Sequence, residues 1–171
     1  METLKLIFFF FSLYNLVTNI LPGAVLCIIF KYCIGYDLFV SDNWFLLGIL
    51  FYFIGMINNR VGSIVLMPLF KWTHFIKLKP YQEYVSAEKK DETITTLSTE
   101  STVFRSYTAV CFNSLITMLF KTIADRCVFL SNHSTLLLLI LLLLIFAFSY
   151  KKQLRFVQKR ISIANETKKR L

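Results

Sequence analysis

Charged residues, glycine and proline are all scarce in this chain. Only 17% of its 171 residues are Asp, Glu, Lys or Arg, and it contains five Gly and three Pro. Water-soluble domains carry about a quarter charged residues, because their surfaces must be hydrated. The low charge therefore excludes an ordinary soluble globular domain.

The residue patterns of catalysis and of metal binding are missing as well. The two His, His74 and His133, lie far apart, and there is no Gly-rich phosphate loop, nucleophile elbow or His-Glu-x-x-His helix. The four Cys have no metal-ligand spacing, and no Asp or Glu falls in the core of a predicted span. We expect no enzyme activity, no cofactor and no metal site.

Long apolar runs are present instead. The chain is 56% hydrophobic, has 18 Phe, and carries only Leu and Ile from Leu136 to Ile145. Because about 20 apolar residues cross the roughly 30 Å of bilayer hydrocarbon, the sequence predicts an all-α integral membrane protein with four transmembrane helices. The predicted transmembrane domain, 1–150, has spans at about 6–34, 44–70, 103–120 and 130–150, with a cytoplasmic loop at 71–102.

The first span has a signal peptide as its alternative. Apolar residues continue from Ala24 to Phe30, beyond the point where a signal peptidase would cut, and this favours an uncut helix with a bend at Pro22-Gly23.

Basic residues set the predicted orientation. They are concentrated in the loop 71–102 and after Tyr150, and Lys and Arg are enriched in cytoplasmic segments. The protein is therefore predicted to cross the inner membrane of a bacterium several times with both termini in the cytoplasm. Cys33 and Cys127 would then face outward, where a disulfide between them is an open alternative.

The second span contains Asn58, Asn59 and Arg60 within an apolar stretch. A guanidinium at the bilayer centre costs about 2.5–3.5 kcal/mol on insertion scales. Three interpretations are open. The helix ends at Asn58 and an interfacial helix covers 61–70, or one long helix turns Arg60 towards a bundle interior or a hydrated pore, or the span breaks as a re-entrant segment.

Small residues in the same span predict close helix packing. Gly48, Gly55 and Gly62 recur every seven residues, with Ser63 beside them, so on a helix they drift by only about 20° per repeat. A stripe of small residues lets two helix backbones approach closely in lipid. The contact could lie within one protomer or between protomers.

A polar face is predicted on the third span, where Ser106, Val110, Asn113, Thr117 and Lys121 follow at helical spacing. Lipid offers these groups no hydrogen bonds, so the face must meet protein or water. Interhelical hydrogen bonding and pore lining both explain it. The candidate pore or gate residues are Asn58, Asn59, Arg60, Ser106, Asn113, Thr117 and Lys121.

The fourth span is nearly all Leu and Ile, which is typical of a lipid-facing helix. A single protomer then has little with which to cover the polar faces of the second and third spans. This argument predicts a homo-oligomer, with a tetramer favoured.

The tail 151–171 is predicted to be a basic amphipathic helix, since it carries eight Lys or Arg against Glu166 alone. Lying on anionic membrane lipids is its default role, and binding a nucleotide or oligonucleotide is the alternative. Basic residues of the loop could join it in one anionic site. The candidate residues for an anionic ligand or lipid are Lys89, Lys90, Arg105, Lys151, Lys152, Arg155, Lys159 and Arg160.

Two stretches carry a resemblance to a known family. From Gly55 to Lys71 the chain reads GMINNRVGSIVLMPLFK, and from Ala87 to Asp91 it reads AEKKD. Here it resembles small polytopic membrane proteins of bacterial anti-phage defence operons, of the Hailong membrane effector type. The resemblance covers about 22 of 171 residues and includes no established active-site motif. It implies a homo-oligomeric ion channel controlled by a nucleic-acid product of a partner nucleotidyltransferase.

The expected function is therefore an oligomeric inner-membrane ion-channel effector of abortive-infection defence, which depolarises the membrane when a nucleotide-type signal changes. The alternative is a non-conducting membrane anchor or accessory subunit that recruits a soluble signalling protein through its basic loop and tail.

Overall fold

The computed structural model describes residues 12–39, 42–88, 90–127, 130 and 132–169, with side chains described as far as Ile163. The regular secondary structure of these residues is entirely helical, and they include no strand. Four of the helices are long and apolar enough to cross a membrane. This confirms the predicted all-α, multi-pass membrane class, while the type of membrane and the orientation of the termini stay predictions. The helices are α1 Leu13–Ile34, α2 Trp44–Trp72, α3 Tyr81–Glu88, α4 Thr93–Ala124 and α5 Ser134–Lys169.

Helices α1, α2 and α4 form the packed core. Their shared interface buries Leu26 and Cys27 of α1, Leu66 of α2, and Ala109 and Val110 of α4. Helix α5 is peripheral and touches mainly α2, where Phe53 and Phe146 stack with ring centroids 6.2 Å apart. The long Leu and Ile run of α5 is mostly exposed, as an outer helix in lipid would be.

Three π-helical turns interrupt the α-helical backbone among the described residues. The turn at Phe30–Ile34 ends α1, and the other two each precede a proline. One covers Leu16–Ile20 before Pro22, and the other covers Gly62–Leu66 before Pro68. Proline has no N–H, so it leaves a carbonyl of the preceding turn without its helical donor. A π-turn relieves the clash and frees backbone carbonyls for other partners.

Helix α1 ends at Gly35, which adopts a left-handed conformation with φ 83°. Glycine reaches this region without a Cβ penalty and commonly terminates helices. The Tyr36 N–H donates back to the Phe30 carbonyl at 2.9 Å, and the chain then turns towards α2.

The observed helix bounds differ from the predicted spans mainly at α4 and α5. Helix α4 begins at Thr93 rather than 103, so much of the predicted loop 71–102 is helical, including α3. Helix α5 starts at Ser134 rather than 130 and runs through residue 150 into the tail without a break. The predicted start of the first span, residues 6–11, lies outside the described residues.

Candidate functional site

Hydrogen bonds of the Asn58 side chain join α2 to α4 at the centre of the core. Its side chain is 1% exposed. The Asn58 Nδ2 donates to the Ser106 carbonyl at 2.9 Å, and the Asn113 Nδ2 donates to the Asn58 Oδ1 at 2.8 Å. An amide that both donates and accepts fixes the register of the two helices, because each bond needs its partner at one helical position.

Ser106 extends this network to α1. Its hydroxyl donates to the Thr18 carbonyl at 2.8 Å, and both residues are fully buried. Thr18 lies four residues before Pro22, which has no N–H to offer in the α-helical register. The Ser106 hydroxyl therefore occupies a carbonyl that the proline leaves open.

A second layer of the network carries a positive charge. The Asn59 Nδ2 donates to the Asn19 Oδ1 at 3.4 Å, and the Arg105 Nη2 donates to the Asn59 Oδ1 at 3.0 Å. Arg105 is half-buried, and its Nε is buried without a hydrogen-bond partner. The Asn59 amide thus holds the Arg105 guanidinium in the core interface, and no carboxylate of the described residues pairs with it.

At the other end of α4, Thr117 and Lys121 continue the same face. The Thr117 hydroxyl donates to the Asn113 carbonyl at 2.8 Å. The Lys121 ammonium donates to the Ile34 carbonyl and lies 5.5 Å from the Tyr36 ring centroid. A cation at a helix C-terminus neutralises the exposed carbonyl dipoles, so Lys121 stabilises the end of α1.

These residues form one continuous feature, which we call the polar seam. From Ser106 to Lys121 it runs about 22 Å along α4 at 1.5 Å per residue, and it faces α1 and α2. It consists of Thr18, Asn19, Asn58, Asn59, Arg105, Ser106, Asn113, Thr117 and Lys121.

Arg60 lies on a continuous helix, so the predicted helix end at Asn58 and the predicted re-entrant break are both wrong. The helix passes through Arg60 and on to Trp72, with the π-turn just after it. The Arg60 side chain is exposed and borders a small cavity of about 50 Å³ shared with Ser149 and Lys152. Its position is therefore beside the seam, in the groove between α2 and α5.

Lys152 connects α5 to the π-turn at Gly62–Leu66. Its ammonium donates to the Ser63 carbonyl and to the Ser63 hydroxyl, both at 2.6 Å. Ser63 lies five residues before Pro68, which cannot supply the N–H that a π-turn would direct to this carbonyl. Arg60, Arg105 and Lys71 are near enough for their charges to act on Lys152. We call this part of the bundle the basic end.

Two of the three predicted packing glycines lie at helix contacts. A Cβ on Gly55 would overlap the Asn19 carbonyl, and a Cβ on Gly62 would lie 3.2 Å from the Ala109 Cβ. Gly23 of α1 meets the Phe51 carbonyl in the same way as Gly55 meets Asn19. Gly48 has no neighbouring atom within 4 Å of such a Cβ, so it makes no packing contact in this protomer.

The predicted anionic site is brought together in part. Lys151, Lys152, Arg155 and Lys159 line one cleft, of about 960 Å³, between the end of α2 and α5. The Arg160 Nη1 instead lies 3.9 Å from the Glu88 Oε2 of α3. Arg105 belongs to the seam, Lys90 is exposed away from the cleft, and Lys89 lies outside the described residues.

Sequence reasoning missed Thr18 and Asn19, the contributions of α1. Asn15, Thr18, Asn19 and Pro22 fall at helical spacing, and this was the available signal. Four polar or helix-perturbing residues on one face of an apolar helix indicate a partner helix, by the same argument that identified α4.

The seam contacts overturn the argument for self-association. That argument held that one protomer could not cover its polar faces, yet α1, α2 and α4 of a single chain supply the partners of Asn58 and Asn113. Oligomeric state stays a prediction without that support. All four Cys are free thiols, so Cys33 and Cys127 are not paired.

The chemistry available in the core is hydrogen bonding and positive charge. In the part of the chain that the structure describes, no three His, Cys, Asp or Glu residues cluster as metal ligands would. Comparisons with known protein families, with curated proteins and with solved structures give no match to this chain.

Proposed function

We propose that this protein is a membrane ion channel whose pathway is the polar seam, closed in the conformation described here. The observation that carries the proposal is the continuity of the seam between two cationic ends. Arg105 stands at one end and Lys121 at the other, with amides and hydroxyls between them. Ion pathways through membranes are lined by such polar groups in an otherwise apolar bundle.

The charge of the seam favours anions. No carboxylate hydrogen-bonds to any seam side chain among the described residues, and the buried Arg105 Nε has no partner. Rings of Arg and Lys select for anions in pores. We therefore expect chloride to pass in preference to potassium.

Opening requires α2 and α4 to separate at Asn58. In the closed state the Asn58 and Ser106 side chains are buried and bonded to each other's helices, so there is no room for a hydrated ion. Water can replace both bonds once the helices part, which keeps the free-energy cost of opening modest.

In a cell, such a channel would act by depolarising the membrane. That activity agrees with the anti-phage effector role that the resemblance of residues 55–71 and 87–91 implies. The homo-oligomer and the nucleotide-type regulator belong to the same proposal.

Chloride efflux from liposomes tests the proposal. Protein reconstituted from detergent is expected to release chloride, and Asn113→Leu to reduce the rate at least about tenfold, since it removes an amide from the seam and adds an apolar group. The matched control is Thr108→Leu, because Thr108 lies on the exposed face of α4 and bonds only its own helix at Phe104. Equal rates of chloride release for the wild type and Asn113→Leu would show that the seam is not the ion pathway.

A non-conducting anchor is the second candidate, favoured by one observation. The bonds at Asn58 are complete within one protomer, as in a purely structural network. An anchor would release no chloride in any condition and would lose a soluble partner when 151–171 is deleted.

A further inference from the structure

The cleft at the basic end combines unpaired cations with an apolar wall. Its volume is about 960 Å³, within the usual range of ligand sites, about 300–1,000 Å³. Six basic side chains border it, and only Lys79 has an ion-pair partner among the described residues, Glu83 at 3.8 Å. The other five are Lys71, Lys151, Lys152, Arg155 and Lys159.

These five cations have no carboxylate partner among the described side chains, so they repel one another and favour binding of an anion. The Lys152 ammonium is held between α2 and α5 by its two bonds to Ser63, at the wall of the cleft. Lys151 and Arg155 flank it on α5 and are exposed. A ligand carrying more than one negative charge would satisfy several of these groups together.

The apolar wall distinguishes the kind of anion. Ile64, Met67 and Phe148 line the same cleft. Phe148 ends the apolar part of α5 and Lys151 begins its charged part, so the cleft spans the boundary between acyl chains and headgroups. A soluble polyphosphate would bind the cations but leave the apolar wall exposed to water. A phospholipid would bind the cations with its headgroup and cover the apolar wall with its acyl chains.

We propose that this cleft binds an anionic phospholipid with more than one phosphate charge, with its phosphates on Lys71, Lys151, Lys152 and Arg155 and its upper acyl chains against Phe148 and Met67. The site is independent of ion conduction, because it lies outside the seam and is measured by binding alone. Such a lipid would bridge α2 to α5, two helices that otherwise share few contacts.

Native mass spectrometry of the full chain in dodecyl maltoside tests this site. The probes are cardiolipin, phosphatidylglycerol, phosphatidylcholine, inorganic pyrophosphate and a 20-nucleotide single strand of DNA. Cardiolipin is expected to bind at least about tenfold more tightly than phosphatidylglycerol, with no saturable binding of phosphatidylcholine.

The matched variants remove the same charge from two places. Lys151→Gln with Arg155→Gln is expected to weaken cardiolipin binding about 30-fold, at roughly 1 kcal/mol for each basic residue. Lys90→Gln with Arg126→Gln, both exposed and away from the cleft, should change it less than about twofold. Equal affinity in the two double variants overturns the site. If pyrophosphate or DNA binds as tightly as cardiolipin, and this binding is lost in the Lys151→Gln, Arg155→Gln variant, then the cleft is not a lipid site.

Discussion

At the scale of single residues, Asn58 has the most connected side chain of the core. It bonds Ser106 and Asn113 of α4, and Ser106 in turn bonds Thr18 of α1. Interhelical hydrogen bonds in membranes contribute about 0.6 kcal/mol each on average and up to about 1.7 kcal/mol. The network therefore contributes only modestly to the free energy of unfolding, and it also fixes the register of the helices.

Asn58→Ala is expected to lower the free energy of unfolding by about 1–2 kcal/mol, since it removes two buried bonds and leaves the Asn113 amide without this partner. Unfolding in dodecyl sulfate, followed by circular dichroism, measures the change. Thr108→Val is the control and should change the value by less than about 0.5 kcal/mol, because the Thr108 hydroxyl only bonds its own helix. A loss for Asn58→Ala no larger than that of the control would contradict the network.

The glycines give a second test at this scale. Gly55→Ala places a Cβ against the Asn19 carbonyl and should cost about 1–3 kcal/mol through forced separation of α1 and α2. Gly48→Ala meets open space and should be neutral or stabilise by up to about 1 kcal/mol through helix propensity. The same unfolding measurement compares them, and a penalty at Gly48 would instead reveal a contact between protomers.

The sequence could predict those features of the site that lie within a single helix, but not the contacts between different helices. The polar face of α4 was visible from spacing alone, and Asn58, Ser106, Asn113 and Thr117 all lie in the seam. The partner was not visible, because pairing depends on which helices adjoin. Reasoning from separate spans therefore assigned the polar faces to contacts between protomers, whereas α1 of the same chain covers them.

At the scale of helices, the long extensions beyond the apolar spans were hidden by composition. Residues 93–102 are rich in Thr and Ser, and this composition predicted a loop. They are helical in the structure, and their hydroxyls are satisfied by bonds to their own helix, as Thr99 donates to the Thr95 carbonyl at 3.0 Å. The π-turns before Pro22 and Pro68 were equally hidden, since the sequence predicted only a bend at the first proline.

Helix α3 contacts the C-terminal part of α5 through a pair of aromatic rings. The ring centroids of Tyr81 and Phe156 are 5.4 Å apart, and Arg160 lies 3.9 Å from Glu88. An aromatic pair contributes about 0.5–1.5 kcal/mol beyond its area, while a surface ion pair contributes about 0–1 kcal/mol. The rings should therefore hold the two helices together more strongly than the charges.

Phe156→Ala is expected to speed tryptic cleavage after Lys77 about two- to tenfold, because α3 would detach from α5 more often. Limited proteolysis in detergent micelles measures the rate. Glu88→Gln serves as the control and should stay within about a factor of two. Faster cleavage in Glu88→Gln than in Phe156→Ala would show that the ion pair, and not the aromatic pair, holds α3 against α5.

At the scale of the whole molecule, the four helices place both the loop and the tail at the basic end. The positive-inside tendency then predicts that this end is cytoplasmic. Cys33 and Cys127 are exposed at the opposite end, which provides a native test of orientation.

A membrane-impermeant maleimide is expected to label Cys33 and Cys127 in intact cells, in variants that keep one cysteine at a time. A cysteine introduced at Ser86, exposed on α3, should react only after the cells are permeabilised. Labelling in the reverse pattern would invert the topology and move the basic end outside.

The most direct test of the seam as an ion pathway is chloride flux during modification of a cysteine at position 117. In a background lacking the native cysteines, Thr117→Cys lies on the half-buried face of α4 that carries Asn113, and Thr108→Cys lies on the exposed face of the same helix. An anionic methanethiosulfonate reagent is predicted to reduce flux through the Thr117→Cys protein and to leave Thr108→Cys unchanged. Flux that persists in Thr117→Cys at its full rate, or an absence of flux in every variant, would contradict the account.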